Sequence, residues 1–199
     1  MRTKSKLAKV TSVTLSLICF LMIGSVSGFS REKNETIDAT ATGTSTQMGR
    51  VIGITVIIYD YSTPADRQIL VDAYNKGQNQ GLSNALQKMP AVGRIAITGT
   101  LGYDLSYINM TPTPTGRRIR FVTNRKISFG EAWADSRTMS YDLTAGEINI
   151  NEQDKSKSSG TLFPAAQLIL NSEGQLQWEL NQNPWTLVGI IDWKGSANN

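Results

Sequence analysis

The chain has 199 residues, of which 40% are apolar, 18% charged and 8% aromatic, a balance that suits one globular domain and excludes collagen-like, coiled-coil and disordered classes. It contains no histidine, and its one cysteine, Cys19, lies in an apolar N-terminal stretch. Ser-His-Asp and Cys-His catalysis, His-ligated metals and structural disulfides are therefore excluded, and no cofactor is expected.

Residues 1–28 read as a secretory signal peptide. Arg2, Lys4, Lys6 and Lys9 make a basic start with no acid, an apolar run follows through Leu15, Leu17, Ile18 and Phe20 to Ile23, and Ser25, Ser27 and Gly28 supply small residues for cleavage. The competing reading is an uncleaved anchor, since the run approaches the ~20 residues that span a bilayer. With the leader removed, the 20 basic and 16 acidic residues of the whole chain become 16 of each. The basic character then belongs to the leader, so neither nucleic acid nor an anionic membrane is an expected partner, and no integral span is expected after cleavage. The expected location is secreted or periplasmic.

Residues 29–49, rich in Thr, Ser and Ala with Ile37 and Met48 as the only large aliphatics, read as a flexible tether. A single domain is expected over 50–199. Its first strand is Val51 to Tyr59, dense in β-branched residues. At Thr63-Pro64-Ala65-Asp66 the pattern switches to a capped helix start, with Pro64 at the first helical position. Ile69, Leu70, Ala73 and Tyr74 give the apolar face, Gly77 ends it, and a second helix runs from Gln78 to Lys88 before Pro90. The two form a helical hairpin or one kinked helix. Beyond Pro90 the expectation is β throughout. Strands are read at 94–101, 103–110, 117–122, 126–129, 137–143, 147–150, 162–170, 175–180 and 185–193, with a loop at 111–116 and a polar excursion at 151–160. The fold class is thus α+β: a mostly antiparallel curved sheet or partly closed β-barrel with a helical hairpin inserted after the first strand. A parallel pairing of the first two strands is also open.

The strings Tyr61-Ser62-Thr63-Pro64-Ala65-Asp66-Arg67, Leu101-Gly102-Tyr103-Asp104, Thr115-Gly116-Arg117-Arg118-Ile119, 125–132 and 141–148 resemble a family of small exported bacterial proteins that has no assigned activity. The resemblance runs over most of the chain after the leader. It implies export and one domain, and carries over no catalytic residue.

Three groups of residues are candidates for chemistry. Period two places Arg118 and Arg120 on one strand face and Ile119 and Phe121 on the other, so the arginine pair could clamp a carboxylate or phosphate; the plainer reading is a solvated face answered by neighbouring acids. Glu131 and Asp135 flank Trp133, which is the residue set of a carboxylate-dependent glycan hydrolase with an aromatic platform, or else of a solvated turn. Trp185, Leu187, Gly189, Ile191 and Trp193 share one strand face, as lining of an apolar pocket or as core. No metal-ligand spacing is present. The leading expectation is a non-enzymatic exported domain that binds a small molecule or an envelope partner through the open end of its curved sheet, with Arg118, Arg120 and Trp133 as the ligand-binding candidates. The alternatives are the hydrolase, using Glu131 and Asp135, and a structural or protein-interaction module.

Overall fold

Every residue of Val51–Ile58 (β2) except Gly53 is β-branched, which favours an extended backbone, and Ile54, Val56 and Ile58 are buried on one face. In the computed structural model, which describes residues 34–44, 49–125, 143–172, 176–178 and 184–194, this strand pairs on both sides. One neighbour is Glu35–Thr42 (β1). That strand corrects the expected tether over 29–49. Glu35, Ile37, Ala39 and Ala41 point inward while Thr36, Asp38, Thr40 and Thr42 point outward. Small Thr and Ala residues give a tether-like composition, yet they alternate with period two, and a barrel lining needs small residues opposite large ones.

The remaining strands are Gly93–Ile97 (β3), Tyr103–Leu105 (β4), Tyr107–Thr113 (β5), Gly116–Thr123 (β6), Leu143–Asn151 (β7), Ser159–Ala166 (β8), Leu168–Leu170 (β9), Leu176–Trp178 (β10) and Trp185–Asp192 (β11). Nine of the eleven described strands form one sheet in the order β4-β3-β2-β1-β11-β8-β7-β6-β5, with every pair antiparallel, and β9 pairs with β10 separately. The fold is α+β, as expected, with the sheet curled into a nearly closed barrel. Its two edge strands, β4 and β5, are joined through Ser106 alone. Ser62 staples the corner, since its N–H donates to the Ile108 carbonyl at 2.8 Å and its Oγ accepts from the Ile108 N–H at 3.0 Å. Ile37, Ile95, Ile119, Phe121, Ile148, Leu162 and Trp185 fill the interior.

Pro64–Lys88 (α1) starts with the expected capping box: Thr63 Oγ1 accepts from the Asp66 N–H, and Asp66 accepts from the Thr63 N–H. The helix breaks at Gly77 and Gln78, where Gln78 takes a positive φ of 48°. Its two arms fold back so closely that a Cβ at Gly81 would overlap the Ala73 carbonyl oxygen, two residues that a straight helix would hold more than two turns apart. The hairpin returns the chain to the end it left, so β2 and β3 pair antiparallel; this corrects the parallel option. Leu70, Leu82 and Leu86 cover the outside of the barrel over Val122, Leu143, Ala145 and Ala166. The Asn79 amide acts as one rung of a ladder, donating to the Leu168 carbonyl at 2.9 Å and accepting its N–H at 2.8 Å.

One face reading fails on β11. Trp185 and Leu187 point inward, but Gly189 adopts φ +59° and forms a bulge, so that Asp38 faces Ile191 while Thr40 faces Val188. The extra residue inverts the alternation. Ile190 is buried and Asp192 faces the barrel end, whereas Ile191 and Trp193 are exposed. The expected strands at 126–129 and over most of 137–143 lie outside the described residues.

Candidate functional site

The outer face of β6 changes character along its length. Arg118 and Arg120 face outward, as the alternation predicts, and the next outward residue, Val122, is buried under α1. Strand neighbours make each step a row across the sheet. Tyr107, Val122 and Ala145 form a row beneath the helix; Asn109, Arg120 and Glu147 form the next; Thr111, Arg118 and Asn149 form a third. The surface thus passes from apolar to charged in one period of the strand.

At that boundary α1 stands away from the sheet and leaves a cleft of about 270 Å³. Leu70, Leu82, Leu86, Val122, Leu168 and Leu176 make its floor and walls. Arg67, Tyr107, Asn109, Thr111 and Arg120 make its rim. Apolar walls with a few converging polar groups are the general form of a small-molecule site, and this volume lies near the lower end of the range such sites span.

Glu147 organises the arginines. Arg120 donates its Nε–H to Glu147 Oε2 at 2.7 Å, Arg118 donates to Asn149 Oδ1 at 3.0 Å, and Asn149 in turn donates to Glu147 Oε1 at 3.1 Å. Burial pushes the Glu147 carboxyl upward, but the hydrogen bonds from Arg120 and Asn149 and the charges of Arg120 and Arg118 outweigh it and hold the group below the ordinary carboxylate range. Tyr107 moves the other way: burial raises its phenol, against a smaller lowering by Arg67, so it stays protonated and can donate.

Of the predicted site residues, Arg120 lines the cleft and Arg118 sits beside it on the open sheet. Glu131, Trp133 and Asp135 lie outside the described residues. The rest of the rim was not anticipated. Arg67 carried one usable signal, because a cation in the first turns of a helix opposes the macrodipole and so calls for a reason. Tyr107, Asn109 and Thr111 sit two apart on β5 and so share the face of Arg120, but that matters only once β5 is known to pair with β6.

Two other hollows are less suited to a ligand. One of about 390 Å³ has few apolar residues, and its Arg94 and Asp104 answer each other at 3.6 Å. The other, about 240 Å³, ends on a buried ionic cluster at the barrel mouth. There Arg117, on the inward face of β6, donates to Glu35 Oε2 at 3.0 Å and pairs with Asp192, while its Nε lies 3.3 Å from Glu152. Tyr61 donates to the same Glu35 oxygen at 2.9 Å. Burial first, then the Glu35 charge and hydrogen bond, raise the Tyr61 phenol far above its ordinary value. Burial works against the Arg117 charge, but Glu35 and Asp192 more than restore it. Among the described residues, no group of three or more acidic, His or Cys side chains is placed to hold a metal ion.

No family model matches the chain, and neither the curated proteins nor the solved structures give a match.

Proposed function

We propose that this protein is an exported, non-enzymatic binding domain whose ligand is a small, largely apolar molecule held between α1 and the outer face of β5 and β6. The observation that carries this reading is the cleft itself: six aliphatic side chains around one hollow, ringed by side chains that can donate hydrogen bonds. The barrel interior supports it by elimination, since Phe121, Trp185 and the isoleucines occupy that space. The basic-then-apolar start of the chain supports export. Among the described residues no helix is long and apolar enough to cross a membrane.

The test uses a neutral fluorescent reporter, N-phenyl-1-naphthylamine, which brightens on leaving water. The protein is expected to bind it saturably. Thr111→Trp, a substitution at an exposed rim position on β5, is expected to weaken that binding at least tenfold with an unchanged circular dichroism spectrum. Equal binding by the folded variant would place the reporter elsewhere and overturn the assignment.

A further inference from the structure

Resting on the cleft as the binding site, we infer that α1 is a flap over it, latched at its tip by Asn79, and that release of this latch sets how fast the ligand enters and leaves. The feet of the hairpin are pinned to the barrel. Before the first arm, Ser62 exchanges two hydrogen bonds with Ile108; after the second, Val92 donates to the Leu105 carbonyl at 2.8 Å, and its own carbonyl accepts from Tyr59 and Asp60 at 2.9 and 3.0 Å. The tip, at Gly77 to Asn79, lies at the far end of both arms, where Asn79 grips Leu168 of β9 through its amide. The close approach of Gly81 to Ala73 keeps the arms together, so the hairpin moves as one piece. Between feet and tip, a helix of 25 residues gives the barrel three fully buried side chains, Leu70, Leu82 and Leu86. An element held by so few buried apolar contacts belongs to the part of a fold that opens first.

Two features turn this element into a gate. The aliphatic lining of the cleft is divided, with Leu70, Leu82 and Leu86 on the flap and Val122, Leu168 and Leu176 on the strands that face it. A molecule seated between them touches both halves, and side chains packed at interior density must part to let an apolar body through. The second feature is strain at the tip. Gln78 has φ 48° and ψ −137°, a conformation open to glycine and costly for a residue with a Cβ. It directly precedes Asn79, so the two hydrogen bonds to Leu168 hold the strained turn in place. Releasing them frees Gln78 to relax, which lowers the cost of opening. The closed flap is thus a balance between a latch and the strain beside it.

Stopped-flow mixing of N-phenyl-1-naphthylamine with protein obtained by expressing the full chain measures the gate. Asn79→Ala is expected to raise the association and dissociation rates together by about tenfold, the scale of losing two hydrogen bonds, with the equilibrium affinity changed far less. Gln78→Gly is expected to do the reverse and slow both rates several-fold, because it removes the strain that favours opening. Either variant suffices if the other fails to fold. Rates that do not move, or a change in dissociation alone, would overturn the gate and leave the cleft standing. A readout without ligand separates that failure from a failure of the site: hydrogen exchange at the Leu168 amide, whose N–H Asn79 covers, is expected to slow in Gln78→Gly. Unchanged exchange would overturn the latch. Slowed exchange, with reporter binding that Thr111→Trp leaves untouched, would overturn the cleft and the flap's role as its gate.

Discussion

Arg117 and Arg120 lie on the same strand, yet they occupy opposite electrostatic worlds. Three positions apart on β6, they point to opposite faces, so Arg117 enters the barrel with 8% of its side chain exposed and Arg120 stays outside with 42% exposed. Inside, the guanidinium meets Glu35, Glu152 and Asp192, carboxylates from three different strands or their ends. Outside, it meets one, Glu147. The inner arginine is enclosed among carboxylates and ties strands together, whereas the outer one is oriented by its partner and stays open to solvent. Residue type decides neither outcome; the face does.

The largest expected effect comes from the inner residue. Arg117→Met removes the buried cation between Glu35 and Asp192 and leaves Glu35, among the described cations, only the half-exposed Lys194, 3.7 Å away, and breaking a buried pair from one side costs about 3 to 5 kcal/mol. Urea denaturation should show that loss, and a change below about 1 kcal/mol would erase the distinction between the two arginines. Next is Tyr61→Phe, which removes a donor to a buried carboxylate at a cost of roughly 1.5 kcal/mol. Its pH signature has a definite sign. The Tyr61 phenol is raised in the folded state, so its contribution is fully present below the unfolded value near pH ~10 and is lost as pH climbs above it. The wild type should therefore lose more stability than the Tyr61→Phe variant above about pH 10.

Arg120→Met is expected to change stability least, by less than about 1 kcal/mol, because a half-exposed pair is well screened. It should act instead on the acid limb. Glu147 is lowered in the folded state, so its contribution is present above the unfolded carboxylate value near pH ~4.3 and is lost as pH falls through the folded one. Removing Arg120 should shrink that loss, and denaturation midpoints measured at and below about pH 4 would show it. An acid limb identical to the wild type would mean that Glu147 does not depend on Arg120.

Much of the fold was written locally. Thr63, Pro64 and Asp66 announce a helix because capping involves only neighbours in the chain, and the β6 alternation is legible because one side of the barrel is dry. Where the reading failed, the missing information was tertiary. β1 carries Ala39 and Ala41 where a buried strand usually shows larger residues, and their reward lies in the bulky neighbours across the barrel. The β11 bulge at Gly189 depends on its pairing with β1, so the face of Trp193 could not be counted by twos. Of the cleft, Arg120 was legible and the leucines were visible only as core, because Leu70, Val122 and Leu168 come from three distant parts of the chain.

The pairing of β1 with β11 also sets when the barrel can form. Ile37, near the start of the described chain, lies beside Asp192, near its end, so the first described strand waits for the last described one. Until then β1 has only β2 beside it, and its other edge offers unpaired N–H and C=O groups to any passing strand. Such late, non-local closure is slow and leaves a sticky intermediate. Under the proposed export the same delay would be useful, because the sheet could not close before its last described strand had crossed the membrane.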